Sequence, residues 1–400
     1  INVNDGPYFI DDGFLWLSER DGFRHLYRYS SDGKRAAKLT GGEWEIAELA
    51  GVDEKNHHVY FVATAQSPLE RHLYRVGFDG EGLAKITASP GVHGISMSPT
   101  AAYFLDSASS LTRPPERKIH SRDGKEIAVY AEANRSHEEF EILATEIVRV
   151  KASDGALLYA RLIKPAGFTP GKKYPAVVMI YGGPHAQTVR DAWAGANWDQ
   201  VLAHRGFVIW QLDNRGSSGR GHRWESAVFR NLGAKELEDQ KEGLRHLESL
   251  GFVDPAKIGI YGWSYGGYMT LYALANAPKL FRAGIAGAPV TDWRNYDTIY
   301  TERYMGLPDE NAEAYKRSSP IHNAAAIEAR LMLAHNFGDD NVHFQNLLQM
   351  IDALEKAGKQ FELLIYPQKS HGVTGPARKH LLEGMTGFFE RHLREESGRD

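Results

Sequence analysis

A chain of 400 residues with 42% hydrophobic content is long enough for two separate cores, and its net charge of −4 gives no reason to expect a nucleic acid or an anionic membrane surface as partner. With no cysteine it has neither disulfides nor thiol chemistry. No apolar run reaches the roughly 18 residues that a membrane-spanning helix needs.

The first third reads as repeated β structure. His25-Leu26-Tyr27-Arg28-Tyr29-Ser30-Ser31-Asp32-Gly33 recurs 47 residues later as His72-Leu73-Tyr74-Arg75-Val76-Gly77-Phe78-Asp79-Gly80, and a weaker copy ends at Asp123-Gly124. Each Asp-Gly pair is a hairpin signal between alternating strands, and a period of about 40 to 50 residues with several strands per repeat describes propeller blades. A β-sandwich is the plainer alternative. Residues 1–130 are therefore expected to form an incomplete β-propeller of about three blades. Propellers have at least about four blades, and the chain begins with Ile1. The remainder is expected upstream, removed or carried on another chain.

Residues 131–400 alternate as a mostly parallel sheet covered by helices on both faces demands. Buried strands are predicted at 177–181, 207–213, 258–263, 283–288, 330–335 and 361–366, and helices near 191–205, 235–250, 265–277, 343–357 and 377–394. In the second helix Leu237, Leu244, Leu247 and Leu250 share a face while Glu238, Lys241, Glu242 and Arg245 face water. The first strand ends in Tyr181, at the carboxyl edge where open α/β sheets bind ligands, ahead of the turn Gly182-Gly183-Pro184. Arg215 and His222 flank the glycine-rich loop Gly216 to Gly221, which reads as structural.

Gly262-Trp263-Ser264-Tyr265-Gly266-Gly267 lies between a β-prone run and a run of helix formers, the context of a nucleophile elbow. The glycines permit close packing of helix on strand, and the first N–H groups of the helix point towards charge developing beside Ser264. Further on, Trp293, Tyr296, Tyr300 and Tyr304 fall at offsets of 0, 3, 7 and 11, one face of a helix, which is ordinarily core. Strand 330–335 runs into a polar loop with Asp339 and Asp340, and strand 361–366 into a loop with His371. The order serine, acid, histidine is that of an α/β-hydrolase triad: Ser264 attacks, His371 moves the proton, and one of the two aspartates orients the imidazole. His335 and His343 beside those aspartates suggest a metal site as an alternative, but the triad already accounts for the loop. No metal or cofactor is expected.

These residues carry a resemblance. Tyr261 to Tyr268, Ala288-Pro289-Val290 through Tyr300-Thr301-Glu302-Arg303-Tyr304-Met305-Gly306, Asp339-Asp340-Asn341-Val342-His343-Phe344 and Asp213-Asn214-Arg215-Gly216-Ser217 resemble the dipeptidyl peptidase IV branch of the prolyl oligopeptidase family. The resemblance covers about residues 140 to 395 well and the first third in architecture only. It implies Ser264, Asp339 and His371 as the triad, with Asp339 rather than Asp340 as the orienting acid. It implies the Tyr181 phenol and the Tyr265 N–H as the oxyanion hole. It also implies Val290, Trp293, Tyr296 and Tyr300, with Tyr265, as an aromatic slot for proline, and Asn341 as a ligand of a substrate carbonyl.

The implied activity is a serine peptidase that releases Xaa-Pro or Xaa-Ala dipeptides from polypeptide amino termini. An acylaminoacyl peptidase or oligopeptidase of the same family is the near alternative, and a catalytically silent binding scaffold the distant one. Expected partners are peptide substrates, an amino-terminal propeller fragment and, as an option, a second copy in a homodimer. The paired glutamates with which the family grips the substrate amine find no match here, and Glu43, Glu45 and Glu48 are not assigned to that role. The compartment is open: periplasmic or secreted if bacterial, with the cytoplasm as alternative.

Overall fold

The computed structural model describes residues 6–394, which form three four-stranded antiparallel sheets and one eight-stranded sheet; Ile1 lies outside that range. The first small sheet contains β1 (Tyr8–Ile10), β2 (Gly13–Ser18), β3 (His25–Ser30) and β4 (Ala36–Lys38). The second contains β5 (Ile46–Asp53), β6 (His58–Ala63), β7 (His72–Gly77) and β8 (Ala84–Lys85). The third contains β9 (Val92–Met97), β10 (Tyr103–Ser110), β11 (Arg113–Ser121) and β12 (Glu126–Ala131). Each Asp-Gly joins the third strand of its sheet to the fourth, and Gly33, Gly80 and Gly124 take φ of 70°, 85° and 87°, which a glycine adopts without strain. The repeated histidine has a structural cause as well. His25 Nδ1 meets Thr40 Oγ1 at 3.1 Å and His72 Nδ1 meets Thr87 Oγ1 at 3.0 Å, so each buried imidazole is satisfied by a threonine just past its sheet's outer strands.

The large sheet contains β13 (Thr145–Lys151), β14 (Leu157–Ile163), β15 (Tyr174–Met179), β16 (Val208–Asp213), β17 (Val253–Trp263), β18 (Ala283–Gly287), β19 (Arg330–Asn336) and β20 (Glu362–Tyr366), in the order β13-β14-β16-β15-β17-β18-β19-β20. β13, β14 and β16 pair antiparallel; from β16 to β20 all neighbours are parallel. The helices are α1 (Trp198–His204), α2 (His222–Glu225), α3 (Ala234–Ser249), α4 (Tyr265–Asn276), α5 (Thr298–Met305), α6 (Ala312–Ser318), α7 (Gln345–Lys356) and α8 (Pro376–Phe389). Successive residues of the central strands serve opposite layers. Val178, Trp210 and Leu333 pack with α3, α4 and α7, whereas Val177, Ile209 and Met332 pack with α1 and α8. Covering both faces is what makes these strands continuous apolar runs.

Three local expectations are corrected. The helix expected over 191–205 begins only at Trp198, because the Asn197 side chain accepts from the Asp199 and Gln200 N–H groups and caps it there. Leu250 is exposed at the end of α3 rather than on its buried face. Trp293, Tyr296, Tyr300 and Tyr304 do not lie on one helix: Trp293 opens a 3₁₀ turn, Tyr296 is extended, and α5 starts behind the Asp297 cap. Their rings gather all the same.

The blades dock on the loops that follow β15 and β16. Glu45 accepts from the Gly219 and Gly221 N–H groups at 2.7 Å each, the His222 N–H donates to Gly22 O, and His222 Nδ1 lies 2.9 Å from Glu19. Glu45 is thereby spent on the seam. Arg215, in the same loop, holds the buried Asp239 of α3 through its guanidinium and its N–H, and also contacts Asp154, so the loop is structural as expected. Among the described residues, no helix is long and apolar enough to cross a membrane.

Candidate active site

Ser264 occupies the turn between β17 and α4 with φ 61° and ψ −120°, a conformation that costs a non-glycine residue of order 1–3 kcal/mol. Its surroundings enforce it. The Ser264 N–H donates to Gly287 O at 2.8 Å and Ser264 O accepts from the Tyr268 N–H at 2.9 Å. A Cβ on Gly266 would stand 2.2 Å from Ile180 O, and one on Gly262 2.2 Å from Gly266 O. Bare glycine lets α4 press onto the ends of β15 and β17.

That pressing brings Tyr181 and Tyr265 together, with ring centroids 6.1 Å apart. Burial pushes the Tyr181 phenol up, so it keeps its proton and remains a donor. Tyr265 is the first residue of α4, and helix geometry leaves such an N–H without a partner inside the helix.

His371 and Asp339 meet across the ends of β20 and β19. His371 Nδ1 lies 2.9 Å from Asp339 Oδ2 and 3.2 Å from Oδ1. Asp339 also accepts from the Asn341 and Val342 N–H groups at 3.0 Å each. Burial alone raises this carboxyl, but His371 and the Asn341 N–H outweigh it and hold Asp339 below its ordinary value. Asp340 is exposed, and among the described residues it makes no hydrogen bond to His371. The histidine loop is fixed at two carbonyls: Trp263 Nε1 donates to His371 O at 2.9 Å and Asn336 Nδ2 to Ser370 O. Trp263 precedes the serine, so an indole sets the loop against the elbow.

His335 is buried beneath this pair; its Nδ1 accepts from the Asn336 N–H at 2.9 Å and its ring meets Phe344 edge-on. Among the described residues, no three histidine, cysteine, aspartate or glutamate side chains gather as a metal site.

The remaining expected residues form a wall beside the elbow. Val290 and Trp293 are buried, and Trp293 stacks on Tyr300 at 6.2 Å and 13°. Tyr296 stands edge-on to Trp293 at 6.1 Å and to Tyr300 at 5.3 Å, and Tyr265 lies 5.6 Å from Trp293. The Tyr296 hydroxyl donates to Asn341 Oδ1 at 2.6 Å, which leaves the Asn341 amide N–H groups to face outward.

Two residues of this neighbourhood escaped the sequence reading. Trp263 was quoted as part of the elbow without a role. Glu236 accepts from the Tyr265 hydroxyl at 2.7 Å while fully buried in α3. A signal existed for it: Glu236, Gln240, Gly243 and Leu247 are spaced as one helix face, and all are buried.

Sequence comparison agrees with both parts. The pattern of the prolyl oligopeptidase family matches residues 196–396, and that of the dipeptidyl peptidase IV N-terminal region matches residues 1–115. Human dipeptidyl peptidase 8 is 37% identical over 409 residues, which cover 91% of this chain and 45% of that protein. Human prolyl endopeptidase FAP is 33% identical over 409 residues, covering 96% and 53%. The crystal structure of Porphyromonas gingivalis dipeptidyl peptidase 4 superposes with a TM-score of 0.93 at 34% identity, over 97% of this chain and 56% of that one. The chain spans about half the length of these relatives. Matched along its blades and its hydrolase sheet alike, the chain belongs to the prolyl oligopeptidase family of serine peptidases, in its dipeptidyl peptidase IV branch.

Proposed function

We propose that the chain is the catalytic part of a serine dipeptidyl peptidase, with residues 131–400 as the hydrolase domain and 1–130 as part of a propeller above it. Ser264 Oγ attacks the scissile carbonyl while His371 Nε2 takes its proton and returns it to the leaving amine. Asp339 holds His371 Nδ1 and stabilises the imidazolium. The Tyr181 hydroxyl and the Tyr265 N–H receive the oxyanion, and water then releases the acyl group by the same path in reverse. The observation that carries the proposal is the His371–Asp339 pair at 2.9 Å, tied by Trp263 to a strained serine.

Substrate choice follows from the wall. Tyr296 and Tyr300, backed by the buried Val290 and Trp293, offer apolar faces to a proline or alanine side chain before the scissile bond. With Asn341 Oδ1 engaged by Tyr296, Asn341 Nδ2 donates to a substrate carbonyl. The relatives matched here include a dipeptidyl peptidase 8 and a dipeptidyl peptidase 4, which supports release of dipeptides. Three blades do not close a propeller, so further blades, and the acids that bind the substrate amine, are assigned to polypeptide beyond the three sheets described.

A diphenyl phosphonate that mimics a proline ester tests the chemistry. It is expected to label Ser264 in the wild type, and Ser264→Ala is expected to lose both labelling and hydrolysis of alanyl-proline p-nitroanilide while retaining its melting temperature. Substantial turnover by Ser264→Ala would place the nucleophile elsewhere. Comparing free with acetylated alanyl-proline p-nitroanilide tests the dipeptidyl part separately: equal rates would favour an acylaminoacyl peptidase or oligopeptidase.

A further inference from the structure

We infer that Glu236 is a positioning residue: from the first turn of α3 its carboxylate fixes the Tyr265 phenol, and through it both the wall of the proline slot and the aim of the Tyr265 N–H. The inference rests on the roles proposed above for Tyr265.

Glu236 has no exposed surface and Tyr265 only 3%. The Tyr265 hydroxyl donates to Glu236 Oε1 at 2.7 Å, and Oε2 finds no hydrogen-bond partner among the described residues. Tyr265 is otherwise held by rings: Tyr268 edge-on at 5.0 Å, Trp293 at 5.6 Å and Tyr181 at 6.1 Å. These edge-on and tilted contacts confine the ring to its slot, and Glu236 supplies the hydrogen bond that fixes its hydroxyl end. Tyr265 also opens α4, so its ring and its N–H hang from one Cα. A displacement of the Tyr265 Cα would therefore move the slot and the oxyanion donor together, and the Glu236 contact opposes it from the ring end.

Packing alone does not explain a carboxylate here. A buried acid is costly unless its partners need it, and an apolar residue of similar size would serve a purely structural role better. The cost is visible: burial raises Glu236 to about 7, against the lowering effect of the Gly233 N–H and the Tyr265 hydroxyl. Its place in the first turn of α3 eases that cost, because helix N-termini favour negative charge. α3 thus delivers a buried acceptor to the Tyr265 hydroxyl.

The test is a double-mutant cycle with a conservative rescue. Glu236→Ala, Glu236→Gln, Tyr265→Phe and the double variant Glu236→Ala/Tyr265→Phe are compared for kcat and KM on alanyl-proline and alanyl-alanine p-nitroanilides, for phosphonate labelling of Ser264, and for melting temperature. Leu244→Ala, at a buried site on the same helix, reports what destabilising α3 does by itself. The expected result is a fall of about 10- to 100-fold in kcat/KM for the proline substrate in Glu236→Ala, as for loss of a hydrogen bond to a charged group. Preference for proline over alanine should shrink, Glu236→Gln should restore most of the loss because its amide oxygen still accepts, and the double variant should be no worse than either single one. Additive losses, unchanged selectivity, or the same kinetic change in Leu244→Ala at equal loss of stability would each overturn the inference while wild-type labelling of Ser264 persists. Absence of that labelling would overturn the peptidase reading itself, and the inference with it.

Discussion

The left-handed backbone at Ser264 is held by close contacts that exclude even one extra carbon. Gly266→Ala would drive a methyl group into Ile180 O, 2.2 Å from its ideal position, so the elbow must open. The variant is expected to lose phosphonate labelling together with several degrees of melting temperature, whereas Ser264→Ala loses the labelling alone. The aspartates separate in the same way. Asp339→Asn removes the carboxylate at His371 Nδ1 and is expected to lower kcat by about 10⁴. Asp340→Asn changes an exposed side chain and should leave kcat close to wild type; the opposite ranking in steady-state kinetics would reverse the assignment. Tyr296→Phe removes the donor to Asn341 Oδ1 and frees that amide to turn. Its expected effect is about 1 kcal/mol, a several-fold loss in kcat/KM on alanyl-proline p-nitroanilide with the melting temperature nearly unchanged.

At the scale of elements, the loop after β16 depends on Arg215. Its guanidinium and N–H both serve Asp239, which has no exposed surface. Arg215→Ala would leave Asp239 the main-chain N–H of residue 215 but no countercharge, and a loss of about 3–5 kcal/mol is expected in urea unfolding. A loss below about 1 kcal/mol would mean that water replaces the guanidinium. Elements buried on both sides were also the ones legible beforehand. β15 to β19 carry buried apolar cores and the limits of β15 to β20 fall within a few residues of expectation, except that β17 starts at Val253. β13 and β14 were not recognised: β13 is an edge strand whose Glu146, Arg149 and Lys151 break the apolar pattern, and nothing local says that it pairs with β14. The order Ser264, Asp339, His371 proposed as a triad could be read from strand-loop punctuation, because each of these residues follows a strand of the large sheet. The aromatic slot could not be derived that way. Its rings converge from a 3₁₀ turn, an extended residue and α5, and only the resemblance supplied their common purpose. The Glu236 contact depends on a crossing of α3 and α4 that no local pattern encodes.

For the whole molecule, the seam between blades and hydrolase sheet is the feature most open to pH. Glu45 is raised to about 7, first by burial and then by Glu225, against the Gly219 and Gly221 N–H groups and Arg71. Native Glu45 therefore holds its proton more tightly than the unfolded chain does. The stability from this group is full below about 4.5 and is lost as pH rises towards about 7. Glu45→Gln does not titrate, so the melting-temperature advantage of wild type over this variant should narrow from pH 5 to pH 7.5; a widening gap would show that the carboxylate is stabilised when ionised. The seam has another consequence, which concerns exchange with solvent. Its donors on the hydrolase side are main-chain amides, and their acceptor arrives on a different sheet. The Gly219 and Gly221 amide protons are thus shielded only while the second blade is seated, however stable the hydrolase sheet may be. In deuterated buffer these two amides should exchange at the rate at which the blades lift away, faster than amides within β17. A natural sensor of propeller docking is therefore written into the main chain of this loop.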